Sequence, residues 1–457
     1  MSEPSQNKMG TAKMLPLIFS MALPAMFSML VQALYNIVDS HFVSQINQKA
    51  LAAVSLAFPI QNLQIAFAVG TAVGVTSLIS RRLGQGRREE ANSAASHGIL
   101  LGIATSLVFA LYGAFFTTPF FQMFESDPEI VQKGDQYISV CCMLSFGCFV
   151  SVMLEKILQA TGNMIWPMVF QLVGAITNIV LDPILIFGYF GFPAMGVTGA
   201  AAATVAGQIV SMLVCIFVMV FGKHEIRVTF KKFRLSFRTI YDIYAVGLPA
   251  IVMQAIGTVM NMAMNGILSG FSTIAYTVFG LYFKLQSFVF MPVFGLTQGL
   301  LPIMGYNYGA GNKKRLLSAL KLGCLIALVI MLAGMALFLL LPELLLAIFN
   351  ADSELLEIGV PALRIICTCF PFAALGIVSS TLFQSVGKGT YSLIVSLMRQ
   401  LAVLVPAAWL LARFTGVVGS VWWAFPIAET ISLLASIFFF LRLYRTEIHH
   451  LGEEKTE

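Results

Sequence analysis

Twelve stretches of this chain stay apolar for roughly 20 residues or more, the length a helix needs to cross a hydrocarbon core of about 30 Å. Inside such a core every backbone N–H and C=O must be satisfied within the chain, so stretches of this kind fold as helices. They lie near residues 14 to 44, 50 to 79, 92 to 118, 135 to 160, 166 to 190, 194 to 222, 239 to 269, 274 to 304, 317 to 349, 355 to 386, 390 to 412 and 417 to 444. The expected fold class is an all-α polytopic membrane protein with twelve transmembrane helices. A content of 58% hydrophobic and only 11% charged residues, with a mean hydropathy of +0.87, excludes an ordinary soluble globule.

Met1 to Lys13 is polar, and Leu15 to Leu34 is too long for the core of a cleavable signal, so the first helix is expected to serve as its own signal. The seven cysteines, at positions 141, 142, 148, 215, 324, 367 and 369, all fall in apolar stretches and predict free buried thiols. The net charge of +6 is distributed by topology rather than as a nucleic-acid patch. Arg81, Arg82, Arg87 and Arg88 share one connection, and Lys223, Arg227, Lys231, Lys232, Arg234 and Arg238 another. Lys313, Lys314, Arg315 and Lys321 follow, then Arg442 and Arg445. The opposite connections carry Glu125, Asp127, Glu129, Asp352, Glu354 and Glu357. The positive-inside rule then predicts a multi-pass protein of the plasma (inner) membrane with both termini cytoplasmic, as an even number of spans requires.

An offset of 225 residues carries the first half onto the second without a gap, as from Leu23-Pro24-Ala25 to Leu248-Pro249-Ala250. In the same register Asn36 falls on Asn261, Phe58 on Phe283 and Gln61 on Gln286. Gly70-x3-Gly74 falls on Gly295-x3-Gly299, Gly84-x-Gly86 on Gly309-x-Gly311, and Asp127-x-Glu129 on Asp352-x-Glu354. Gly134 falls on Gly359, and Gln159-x2-Gly162 on Gln384-x2-Gly387. Six spans apart, the copies have the same orientation, so the halves are parallel repeats about an axis along the membrane normal. The chain is then expected to divide into a lobe at 1–222, a cytoplasmic basic linker at 223–238 and a second lobe at 239–457. Folds of this kind carry substrate between repeats that move. The glycine pairs of the spans serve close helix packing, and Gly84-Gln-Gly86 and Gly309-Ala-Gly311 are turns, lacking the strand, lysine and hydroxyl of a phosphate loop.

The halves differ in their polar residues. Asp39 falls on Met264, Glu155 on Ser380, Asn178 on Val403 and Asp182 on Ala407, while Lys284 takes the place of Pro59 and Arg399 that of Gly174. An acid inside a membrane helix costs a few kcal/mol on the mildest scales and is a functional candidate by default. Asn178 and Asp182 are four apart and share a helix face, with Gln171 on roughly the same side. Pro183 frees the Ile179 carbonyl from its helical bond. Gln32, Tyr35, Asn36 and Asp39 recur at helical spacing on the first helix, after Pro24. Two carboxylates with amide, hydroxyl and carbonyl oxygens suit Na⁺ or a shared proton. Lys284, Arg399 and Glu429 are read as a charge network of the second half, with snorkelling of the two cations as the alternative. Glu155 and Lys156, near a helix end, read as structural. Met262 and Phe283 with Phe288 flank Asn261, Asn265 and Gln286, and with Gln61 they are candidates to line a substrate cavity for cationic, apolar compounds.

Several of these residues together resemble the multidrug and toxic compound extrusion (MATE) transporters, in their bacterial MepA-like and DinF-like branch. The carriers are Leu23-Pro24-Ala25, Tyr35-Asn36-Ile37-Val38-Asp39, Asn178-x3-Asp182-Pro183, Gly196-x2-Gly199-Ala200-Ala201-x2-Thr204 and Gly305-Tyr-Asn-Tyr-Gly309, spread over about 14 to 445. The resemblance implies a secondary antiporter, not an enzyme, that exports organic, often cationic compounds or amphipathic drugs against H⁺ or Na⁺. It implies a first-half cation site at Asp39, Asn178, Asp182 and Thr204. No cofactor beyond the coupling ion is expected, and the chain is expected to act as a monomer in membrane lipid. Where some members carry an acid on the seventh helix, this chain offers Asn261 and Asn265. Two other classes are weighed. A flippase for lipid-linked saccharides would want a strongly cationic cavity, for which Lys284 and Arg399 are a thin supply, and a membrane prenyl transferase would want an Asp-rich motif, which no helix end carries.

Overall fold

The computed structural model of the chain describes residues 7–229, 233–349 and 351–452. Lys231 and Lys232 of the basic linker lie outside them. Among the described residues eleven helices are long and apolar enough to cross a membrane: α1 (Met14–Ser44), α2 (Gln48–Gly84), α3 (Arg88–Phe115), α5 (Ile165–Phe187), α6 (Val197–Phe221), α7 (Phe237–Ser269), α8 (Thr273–Gly309), α9 (Lys313–Leu340), α10 (Ser353–Ser385), α11 (Gly389–Thr415) and α12 (Val418–Ile448). The twelfth span, α4, is a pair, Pro128–Met143 and Phe146–Ala160, meeting at a bend of 47°. The expected all-helical polytopic fold is what forms. The seven cysteines are free thiols, six of them buried.

The repeat extends to the helix ends. Gln48–Gly84 returns as Thr273–Gly309, and Arg88–Phe115 as Lys313–Leu340, each displaced by the sequence offset at both limits. The signals that set those limits recur with them. Asn47 caps α2 by accepting from the Ala50 N–H at 2.7 Å, and Ser272 caps α8 by accepting from the Ala275 N–H at 3.0 Å. The turns after both helices pass through glycines with positive φ, 72° at Gly86 and 68° at Gly311, a conformation that disfavours side chains.

The chain divides into two compact units, Phe27–Ile251 on one hand and Met1–Met26 with Val252–Glu457 on the other. Both borders fall inside long helices, α1 and α7, and at the same point of the repeat, rather than in the 223–238 linker. In the Phe27–Ile251 unit the start of α7 packs on α2, where a Cβ on Gly70 would sit 2.5 Å from the Ile251 side chain and 2.7 Å from its backbone nitrogen. In the other unit the start of α1 packs on α8 in the same way, a Cβ on Gly295 falling 2.7 Å from the Met26 backbone. The paired glycines are thus the floor on which each unit receives the opening turns of a helix.

The linker is tied to the head of α3. Arg88 Nε donates to the Glu225 carbonyl at 2.6 Å, Arg227 N donates to Asn92 Oδ1 at 2.8 Å, and the buried His97 accepts from Ser236 N at 2.9 Å on Nε2. In the other unit Arg315 donates to the carbonyls of Met9 and Ala12 at 3.0 and 2.8 Å, fixing the turn before α1.

Candidate cation site

Asn178 and Asp182 stand one turn apart on α5, 1% and 0% exposed. What brings α6 up to them is glycine: a Cβ on Gly207 would meet the Gly174 carbonyl at 2.6 Å and the Asn178 Cβ at 3.3 Å. With the two backbones in contact there, Thr204 reaches the α5 pair, and its hydroxyl accepts from Asn178 Nδ2 at 3.3 Å. The same amide lies 3.5 Å from Asp182 Oδ1, and the Tyr35 hydroxyl of α1 is 3.5 Å from Thr204 Oγ1. One turn on from Tyr35, Asp39 brings a second carboxyl to the neighbourhood of Asp182. Asp39, Asn178, Asp182, Thr204 and Tyr35, drawn from three helices of one unit, therefore form one constellation.

Its oxygens are under-supplied with donors. Six buried side-chain polar atoms lack a hydrogen-bond partner among the described residues, and three of them are Asp39 Oδ1, Asn178 Oδ1 and Asp182 Oδ2. Neither acid has an ion-pair partner among those residues. Two neighbouring carboxyls share a proton or hold a cation when they come together, since two like charges about 4 Å apart repel by about 4 kcal/mol at an effective dielectric of about 20. The donor set is two carboxylates with amide and hydroxyl oxygens, and no cluster of three or more His, Cys, Asp or Glu able to hold a metal occurs among the described residues. Oxygen donors of this kind suit a hard cation.

Tyr137 of α4 belongs to the cluster and escaped the sequence reading. It is 2% exposed, accepts from Gln61 Nε2 at 3.0 Å and lies within the electrostatic range of Asp39 and Tyr35. The repeat held the signal, because the corresponding residue is Ala362. Gln61 is thus engaged with Tyr137, and Gln32 and Asn36 are exposed on α1. Pro24 and Pro183 lie within α1 and α5. Gln171 turns to the buried Glu155, donating to its Oε2 at 3.0 Å, and Lys156 Nζ donates to Gln159 at 2.8 Å.

The remaining candidates belong to the other unit. Asn261 donates back to the Gly257 carbonyl at 2.9 Å, Met262, Asn265 and Phe288 are exposed, and Phe283 packs edge-on against Phe279. Gln286 keeps a buried Oε1 without a partner among the described residues. Arg399 and Glu429 approach to 3.7 Å, whereas Lys284 is exposed, with its ammonium over the Phe349 ring.

Eleven long apolar helices and one bent pair among the described residues, in two like halves with a pair of neighbouring acids in one half only, define a transporter rather than an enzyme. The MatE family model matches residues 24–184 and again 249–410, and the chain belongs to that family. Among its relatives are multidrug export proteins MepA of Staphylococcus aureus (strain MSSA476), 24% identical over 404 residues, and of Staphylococcus saprophyticus subsp. saprophyticus, 25% identical, each match spanning 88% of both chains. A multidrug resistance MATE family transporter of the MOP superfamily in an outward-facing conformation superposes with a TM-score of 0.90 at 26% identity, covering 98% of this chain and 99% of its own. A MOP superfamily transporter from Pyrococcus furiosus superposes with a TM-score of 0.89 at 26% identity over the same shares.

Proposed function

We propose that the chain is a secondary active multidrug exporter that drives organic, often cationic compounds out of the cell by antiport against H⁺ or Na⁺. The observation that carries this reading is the convergence of three partnerless oxygens, from Asp39, Asn178 and Asp182, where two acids are neighbours inside the membrane span. With a cation bound, the repulsion between the acids is relieved and α1 is held to α5 and α6. Without one, the acids push apart, and α1 is the element free to respond.

That response has a route. Asp39 lies on the part of α1 belonging to the Phe27–Ile251 unit, while Met14–Met26 of the same helix belongs to the other, and Pro24 sits two residues before the border. Cation occupancy thus biases a helix shared by both units, which is the linkage that alternating access needs. A related MATE protein solved in a straight and in a bent conformation is consistent with such a cycle. Asn261, Met262, Asn265, Phe283, Gln286 and Phe288 are proposed to meet the apolar part of the cargo, and the basic connections orient both termini to the cytoplasm of the plasma membrane.

The test is dye export from proteoliposomes under a pH gradient alone and under a Na⁺ gradient alone. Asp182→Asn is expected to lower gradient-driven export at least tenfold while insertion and monodispersity stay intact. Full export by that variant overturns the mechanism.

A further inference from the structure

The repeat places a second polar pair on the other unit. In its register Arg399 falls on Gly174 and Glu429 on Thr204, the positions where α5 closes on α6 and where the threonine joins the acids. Gly207, which closes the first pair of helices, becomes Ser432. The backbone differs as well: residues Met398–Leu404 of α11 form a π-helix, a wider turn that is uncommon and concentrates at functional sites, whereas the corresponding part of α5 is α-helical. What is a tight glycine crossing in one unit is an arginine facing a glutamate in the other.

This pair is poorly satisfied. The closest approach of Arg399 Nη1 to Glu429 Oε1 is 3.7 Å, too long for a hydrogen bond, and neither side chain has any hydrogen bond among the described residues. The guanidinium therefore leaves all its donors unused. Tyr282 of α8 and Cys369 of α10, neither of them a cation, lie within the electrostatic range of Glu429, and the Tyr282 ring is held edge-on to Phe425, one turn before Glu429, at 5.8 Å. The pair keeps side-chain exposures of 26% and 14%, so neither charge is completely enclosed by the protein. A half-satisfied charge pair inside a membrane span costs stability, and replacing such pairs by apolar residues is often neutral or favourable, so its presence calls for a use.

We propose that Arg399 and Glu429 form a binding site for zwitterionic compounds, molecules carrying a carboxylate and a protonated amine. The ligand carboxylate accepts from the Arg399 fork and the ligand ammonium donates to Glu429, replacing one long ion pair by two hydrogen-bonded ones. A bare cation would take Glu429 and leave Arg399 uncompensated, and a bare anion would do the reverse. When the ligand leaves, the two side chains neutralise each other again. The proposal rests on the export reading only in taking the ligand as cargo.

The probes are Nε-dansyl-lysine, a fluorescent zwitterion, its methyl ester, a cation, and its Nα-acetyl derivative, an anion, titrated against the full-length protein in nanodiscs. Wild type is expected to bind the zwitterion at least tenfold more tightly than either derivative. Arg399→Gln is expected to erase the preference over the ester, and Glu429→Gln the preference over the acetyl derivative, with the Arg399→Gln/Glu429→Gln double variant, neutral and near in shape, checking the fold by its unchanged elution and thermal midpoint. Asp182→Asn protein is expected to keep the preference whether or not export survives, which separates this site from the coupling site. Equal binding of the three probes by wild type, or an unchanged preference in both single variants, overturns the proposal.

Discussion

At the scale of single residues, charges paired at the water-exposed helix ends and acids held inside the membrane behave oppositely. Lys49 illustrates the first, binding both Asp127 and Glu129 at 2.8 Å at the head of α4, where Asp127 also caps the helix by accepting from the Glu129 N–H. The Lys49 ammonium and that N–H hold the Asp127 carboxyl below the usual carboxylate range. A carboxyl with a lowered folded value contributes stability above its unfolded value of about 4 and loses it as pH falls through the folded one. Thermal midpoints of the purified protein are therefore expected to exceed those of Lys49→Met by a small margin near pH 6, with the margin vanishing toward pH 2.5. A margin constant over that range would contradict the assignment. Asp39, Asn178 and Asp182 are of the second kind and were legible in the sequence, because acids and amides in apolar runs are rare. Tyr137 was not, because a tyrosine fits equally well at a membrane interface, and only its replacement by Ala362 in the repeat marks it.

At the scale of elements, the apolar runs predicted the spans, whose limits were displaced mainly where polar caps extend a helix beyond the hydrocarbon. The bend in α4 was not legible, since Leu144 and Ser145 carry neither proline nor glycine to announce it. The role of the glycine pairs was legible as close packing, but not what they receive. Gly70→Ala is expected to destabilise the protein by about 1–3 kcal/mol, because the added methyl meets the Ile251 backbone, which cannot rotate aside. Gly280, inside α8 with nothing within 4 Å of an added Cβ, is the control, and its replacement by alanine is expected to stabilise by about 0.5–1 kcal/mol. Thermal unfolding in one detergent, with both variants side by side, checks the opposed signs. A loss of stability at both positions would mean that helix context, not contact, sets the cost.

At the scale of the molecule, the basic linker reads from sequence as the border between lobes, because charge and proximity to the midpoint are what a sequence displays. The compact units are cut elsewhere, at Met26/Phe27 and Ile251/Val252, inside helices whose composition does not change across the border. Each half of the chain consequently completes the other: Met14–Met26 comes from the first half but packs on Gly295 and Gly299 of α8, and Phe237–Ile251 comes from the second half but packs on Gly70 and Gly74 of α2. A chain divided in the linker, expressed as 1–229 and 233–457, then leaves each half with an unfilled glycine groove and an unplaced helix start. Neither half is expected to be monodisperse alone, whereas the two made together are expected to co-purify through a tag on one of them. Gly74→Ile with Gly299→Ile obstructs both grooves, Gly74 against the Ile243 carbonyl and Gly299 against the Ala22 backbone at 3.0 Å, and is expected to abolish that co-purification. Two halves that are each stable alone, or a complex indifferent to both substitutions, would place the structural border in the linker after all.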